Sequence, residues 1–244
     1  MNSPPALMNL STTGFSFFIV FQVSVVMMLV SHLRSVFTGP GKTPKIGDLG
    51  ESEDIRYCEV CDQVKPPRTH HCRKCNFCIH RMDHHCIWIN NCVGYKNHKY
   101  FLLFLFYVML SSILGLLIII YSGYLYLQSQ GAFIHWKVFL VLVAGFESLL
   151  FGIFTGDFLK EQLSNLKENQ TTIEKVLRKY GEDKGYWGNL ACILGHNKLT
   201  WLFPVSPKLS IDFKEILLNY SQIIIERQKR ARLNSISPEY ILIE

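Results

Sequence analysis

The sequence predicts a predominantly α-helical, polytopic membrane protein with about three transmembrane helices and a small, loop-rich cytosolic domain that holds two zinc ions. Three observations carry that expectation. Apolar residues make up 49% of the 244-residue chain and charged ones only 18%, and the apolar residues fall in blocks. Seven of the eight cysteines lie between positions 58 and 92, threaded with histidines. Lys and Arg are absent from 1–14 and 128–136, yet frequent in 38–100 and 157–244.

The first segment, 1–37, contains an apolar block at 15–33. A bilayer core needs about 20 mostly apolar residues per helix. The block has no basic flank before it and no small-residue cleavage site after it, so it reads as a retained anchor, not a signal peptide. The segment 101–156 holds two further blocks. That at 101–127 runs without a charge, which is too long for a core helix, and a second lies at 138–156. Glu147 falls inside the latter, where ionisable groups are rare; it reads as paired with a polar group such as Gln22, protonated, or functional.

The positive-inside rule places 38–100 and the C-terminal region 157–244 in the cytosol. The N-terminus and the connector at 128–136 then face the lumen or exterior. The net charge of +6 needs no nucleic acid, because basic faces beside a membrane meet anionic lipid. Within 157–244, the stretch 210–232 places Phe213, Ile216, Leu217, Tyr220, Ile223 and Ile224 at helical spacing. This is the pattern of an amphipathic helix lying on the membrane or on another domain.

The segment 38–100 carries the chemistry. A disulfide framework conflicts with a reducing cytosol and with an odd cysteine count. Metal is the better reading. Cys58-x2-Cys61-x9-His71-x6-Cys78 has one rhythm, and Cys72-x2-Cys75-x9-His85-x6-Cys92 repeats it 14 residues later. Each unit supplies a complete Cys3His set for one tetrahedral structural zinc. The two units overlap in sequence and leave Cys86 over, directly after Asp83, His84 and His85.

A cysteine reacts as its thiolate, and a histidine can lower its pKa or take its proton. Asp83 supplies the third role, holding the imidazole in one tautomer. Cys86, His84 and Asp83 therefore form a candidate nucleophile, base and orienting carboxylate. A spare ligand or an inert packed thiol is the competing reading of Cys86.

Asp83-His84-His85-Cys86, within this cysteine pattern and between membrane blocks, resembles the DHHC protein S-acyltransferases (palmitoyltransferases). The resemblance extends over roughly 39–189. It implies a polytopic endomembrane enzyme with a cytosolic two-zinc domain. Cys86 would attack a fatty acyl-CoA such as palmitoyl-CoA, with His84 as base and Asp83 as its polarising partner, and then pass the acyl group to cysteines of membrane-associated target proteins. Thr171-Thr172-Ile173-Glu174 resembles the family's TTxE motif, and also has the form of a helix capping box. Asn189 resembles the asparagine of a C-terminal family motif.

Three departures stand out. The family usually has two spans before the cysteine-rich domain, whereas one is legible here, which leaves room for an accessory subunit. The usual Asp-Pro-Gly reads Gly39-Pro40-Gly41, and the proline common after the nucleophile is Ile87. The implied location is the Golgi, endoplasmic reticulum or plasma membrane. Basic residues such as Arg68, Arg73, Lys74 and Lys96 offer charges for CoA phosphates. The rival function is a non-catalytic, zinc-stapled membrane adaptor, which would have no use for an unligated thiol beside a base. RING-like ubiquitin ligation fits less well, because the ligand spacings are too short. Cys192 follows no pattern.

Overall fold

A computed structural model describes residues 12–44, 56–128, 135–179 and 181–207, with positions 220, 222, 225, 226 and 229. The amphipathic stretch expected at 210–232 lies for the most part outside the described residues. The chain divides into two compact units.

The first unit is built from three helices: α1 (Thr12–Phe37), α2 (His98–Gln128) and α3 (His135–Lys167). Each is long and apolar enough to cross a membrane. At 1.5 Å per residue the 31 residues of α2 span about 46 Å, more than the roughly 30 Å of a hydrocarbon core. Both α2 and α3 overrun the apolar blocks, because loss of hydropathy marks the end of a membrane segment and not the end of a helix. In α3 the polar run after Gly156 continues as helix to Lys167, with Gln162 fully buried.

Small and polar residues set the helix contacts. Ser24 of α1 shares a hydrogen bond with Ser111 of α2 (2.9 Å), the His32 ring packs at a tilt against Phe104, and Arg34 donates to the Tyr100 hydroxyl (3.3 Å). Residue numbers rise on α1 as they fall on α2, so the pair is antiparallel. On α3, Ser148, Gly152 and Gly156 recur every four residues along the face toward α2. A Cβ on Gly152 would stand 3.2 Å from the Ser112 Cβ. Close approach of small residues is the usual way helices associate in lipid, where no hydrophobic drive acts between them. Glu147 is exposed on α3, as is Gln22 on α1, and no pairing joins them.

The second unit is organised by three short hairpins. They are β1 (Tyr57–Cys58) with β2 (Gln63–Val64), β3 (Thr69–Cys72) with β4 (Phe77–His80), and β5 (His84–Cys86) with β6 (Asn91–Val93). Their registers repeat with a 14-residue displacement: Tyr57 faces Val64, His71 faces Cys78 and His85 faces Cys92. Their turns repeat as well. Asp62, Asn76 and Asn90 hold corresponding places at φ of 51°, 55° and 45°, a left-handed conformation that Asn and Asp tolerate best. The two-copy pattern legible in the sequence is therefore a three-hairpin array.

Little apolar core supports this unit. Ile79 and Met82 pack with Cys72 and Cys92, flanked by Ile173. Gly94 is wedged where a Cβ would stand 2.5 Å from the Pro40 carbonyl oxygen and 2.7 Å from Ile79. The unit continues through α4 (Thr172–Val176), α5 (Gly185–Leu194) and a 3-10 turn at Lys198–Thr200. Asn189 of α5 is fully buried; it donates to the Lys167 carbonyl and to Asp183, and accepts from the Lys184 N–H.

Candidate active site and metal centres

Each hairpin offers two kinds of position. The first turn carries Cys58 and Cys61, and the second carries Cys72 and Cys75. The paired strands of the second hairpin carry His71 opposite Cys78, and those of the third carry His85 opposite Cys92. The turn of one hairpin meets the strand pair of the next. Cys58, Cys61, His71 and Cys78 gather in one group, and Cys72, Cys75, His85 and Cys92 in another, with the ligand atoms of each within 4.8 Å of one another.

Both groups suit zinc. In the first, His71 Nδ1 lies 3.5, 3.1 and 3.9 Å from the sulfurs of Cys58, Cys61 and Cys78. In the second, His85 Nδ1 lies 3.6, 3.4 and 3.4 Å from those of Cys72, Cys75 and Cys92. A tetrahedral zinc with arms of about 2.0–2.3 Å sets its ligands about 3.5–3.8 Å apart. Burial pushes the Cys78 thiol up to about 12, and its neighbours Cys58 and Cys61 add to that. Thiols packed this closely are costly as thiolates unless a cation sits among them.

The third hairpin breaks the pattern. Cys86 occupies the place of Cys58 and Cys72, but the place of Cys61 and Cys75 is taken by Ile89. Among the described residues no fourth hairpin follows to complete another set. Successive strand residues point to opposite faces, so His85 turns to the metal group while His84 and Cys86 share the other side.

On that side the polar contacts are closed. Asp83 is fully buried, and its Oδ2 lies 2.7 Å from His84 Nδ1. The other ring nitrogen is left for Cys86, to which His84 also hydrogen-bonds. Asp83 accepts two further hydrogen bonds from Thr172, from the backbone N–H at 2.8 Å and from the hydroxyl at 3.1 Å. Burial opposes the Asp83 carboxylate, but the hydrogen bond with His84 and the two histidines His98 and His84 hold it far below the usual range. Burial also opposes the His84 imidazolium, yet Asp83 and Cys86 lift it to about 9. Cys86 is buried, which disfavours its thiolate, but His84 and the amides of Ile89 and Trp88 bring the thiol below its ordinary value. The arrangement favours a thiolate–imidazolium pair on a buried carboxylate.

Thr172 is placed by its neighbours. Thr171 caps α4, accepting from the Glu174 N–H, while the Glu174 carboxylate accepts the Thr171 N–H at 2.9 Å. Arg68 grips the same carboxylate through Nε and Nη2 at 2.7 and 2.6 Å. The TTxE-like segment is thus both a capping box and a brace behind Asp83.

A family model described as DHHC palmitoyltransferase matches residues 51–179. The chain belongs to the DHHC palmitoyltransferase family. Probable protein S-acyltransferase 12 of Arabidopsis thaliana is 35% identical over 79% of this chain and 74% of its own length. Palmitoyltransferase ZDHHC3 of Rattus norvegicus is 34% identical over 76% of this chain and 68% of its own, and the Homo sapiens protein of that name matches equally. With the three apolar helices, membership marks this DHHC protein as an integral membrane acyltransferase.

Sequence reasoning missed two features of this DHHC chain. Arg68 does not project toward solvent as a phosphate ligand, because Glu174 and Asn169 occupy its guanidinium. Arg73, Lys74 and Lys96 are exposed. Asn169 passed unnoticed although its side chain meets two arginines, and its place two residues before Thr171 was the available signal. Cys192 is half-buried on α5.

Proposed function

We propose that the protein is a protein S-palmitoyltransferase that works through an acyl-Cys86 intermediate, taking its acyl group from a long-chain acyl-CoA. The observation that carries this reading is the Asp83–His84–Cys86 set, which stands apart from both metal groups and favours a thiolate at Cys86. An adaptor would gain nothing from that arrangement.

The Cys86 thiolate attacks the thioester carbonyl carbon of acyl-CoA, and the carbon–sulfur bond to CoA breaks. The His84 imidazolium gives its proton to the departing CoA thiolate. In the second step, neutral His84 takes the proton from a target cysteine, whose sulfur attacks the acyl-Cys86 carbonyl. The Cys86 thiolate leaves, and the thiolate–imidazolium pair is restored. Asp83 keeps one tautomer throughout and stabilises the imidazolium each time it forms.

Cys58, Cys61, His71 and Cys78 would hold one zinc, and Cys72, Cys75, His85 and Cys92 the other. Zinc bound there is structural, fixing hairpins whose strands are too short to stand alone. A fatty chain is retained by lipid at about 0.8 kcal/mol per buried CH₂, whereas CoA and target proteins approach from water. The reaction therefore belongs at a membrane surface. The distribution of Lys and Arg supports a cytosolic face for that surface, and the reading takes the Golgi, endoplasmic reticulum or plasma membrane as its location and cysteine-containing membrane-associated proteins as acceptors.

The test is incubation of the purified protein with labelled palmitoyl-CoA. Hydroxylamine-sensitive label is expected on the wild type and none on Cys86→Ser. Equal label on both proteins rules the intermediate out.

A further inference from the structure

Arg81 presents a problem that the reaction does not explain. It is only 3% exposed, and a buried guanidinium is costly without a partner. The carboxylate that faces it electrostatically, Glu174, is already gripped by Arg68. Two guanidiniums therefore compete for one carboxylate behind the candidate active site.

Asn169 resolves the competition. Its Oδ1 accepts from Arg81 Nη2 at 2.8 Å and from Arg68 Nη1 at 3.1 Å. Its backbone carbonyl accepts from Arg68 Nη2 at 2.8 Å, and its amide donates to the Glu182 carbonyl at 2.6 Å. All three residues sit in the left-handed region, at φ of 48° for Asn169, 61° for Arg68 and 49° for Arg81. Asn tolerates that conformation, whereas for arginine it is strained and persists only where surroundings enforce it. A Cβ on Gly181 would stand 2.6 Å from both the Asn169 carbonyl oxygen and Arg68 Nη1, so the node is closed from that side too.

We propose that Asn169 is a positioning residue for acyl transfer. By sharing one oxygen between Arg68 and Arg81 it sets the Arg68–Glu174 pair, which sets the Thr171–Glu174 cap and the Thr172 groups that hold Asp83. The proposal rests on Cys86 being the acylated nucleophile. The partners of Asn169 are Arg68, Arg81, Leu166, Gly181 and Glu182, none of them a candidate metal ligand, so the node can fail without loss of zinc.

The experiment uses the full chain in lipid nanodiscs. Wild type, Asn169→Gly and Asn169→Asp are compared for kcat and KM of self-acylation by labelled palmitoyl-CoA, and for zinc content. Gly keeps the left-handed backbone and deletes the shared oxygen. Asp keeps an oxygen for both arginines, adds a negative charge that their guanidiniums offset, and loses the donor to Glu182. Asn169→Gly is expected to lower kcat by about 10- to 100-fold, with KM and zinc unchanged. Asn169→Asp is expected to recover most of kcat. Wild-type kcat in Asn169→Gly overturns the proposal, as does an Asn169→Asp no better than Asn169→Gly. Zinc lost in step with kcat in Asn169→Gly overturns it in favour of a purely structural role, unless Asn169→Asp restores kcat at the same reduced zinc content. A wild type that takes no label removes the acyl-enzyme reading itself, a result distinct from these.

Discussion

Thr172 gives both its backbone N–H and its hydroxyl to the Asp83 carboxylate, at 2.8 and 3.1 Å, across 89 residues of chain. A residue that falls well outside the cysteine-rich segment thus completes the environment of the carboxylate behind His84.

The two contacts separate by mutation. Thr172→Val deletes the hydroxyl and keeps the N–H. The loss of the hydroxyl's hydrogen bond to Asp83, about 1 kcal/mol, corresponds to an approximately fivefold slower self-acylation, and the Asn165 amide loses its acceptor with it. Asp83→Asn removes the charge that fixes the His84 tautomer and is expected to cost more than about 100-fold. Initial rates of label incorporation from palmitoyl-CoA measure both.

Cys86 should stay reactive below the pH at which ordinary thiols fall silent. Burial opposes its thiolate, but His84 and the Ile89 and Trp88 amides lower the pKa on balance. A lowered pKa keeps the thiolate populated as pH falls below the usual value of about 8.5, and reactivity is lost only as pH drops through the lowered pKa. Alkylation of Cys86 by iodoacetamide, followed by mass spectrometry across pH, reads the inflection. His84→Ala should move the inflection upward, and an unchanged inflection contradicts the pairing.

The adjacent histidines should differ in what their loss does to metal. His85→Ala is expected to release one zinc per chain, because Cys72, Cys75 and Cys92 lose their fourth partner. His84→Ala is expected to retain both zincs and lose acylation. Metal analysis beside label incorporation distinguishes the two, and zinc loss from His84→Ala would overturn the ligand partition.

Gly94→Ala tests packing away from the reacting groups. Its added Cβ would stand 2.5 Å from a backbone oxygen, which cannot swing aside as a side-chain tip can. Overpacking of this kind costs about 1–3 kcal/mol. The melting temperature should fall, while the Gly39→Ala control, with nothing near its Cβ, should leave it unchanged.

Much of this architecture is legible in the sequence, and the rest is not for definable reasons. Spacing alone divides eight ligands into the two groups that the structure brings together, because Cys-x2-Cys-x9-His-x6-Cys is a rigid count along short hairpins. The three apolar blocks fall within α1, α2 and α3, because hydropathy is a property of composition. The third hairpin escaped notice because Ile89 interrupts the cysteine signal, although Cys58, Cys72 and Cys86 keep the 14-residue step. Asn169 and Arg81 escaped because a polar residue's burial depends on contacts across some 88 positions, which no local pattern records.

The alternation of β3 has a bearing on how metal is first acquired. As the chain emerges from the ribosome, Cys58, Cys61, His71 and Cys72 are all available before Cys78. Together they make a Cys3His set of the same donor types as the intended one. What rejects that set is strand geometry. His71 and Cys72 are neighbours on β3 and face opposite ways, so one ion cannot take both while the strand is formed. Pairing of β3 with β4, which itself brings Cys78, therefore assigns His71 to the first set and Cys72 to the second.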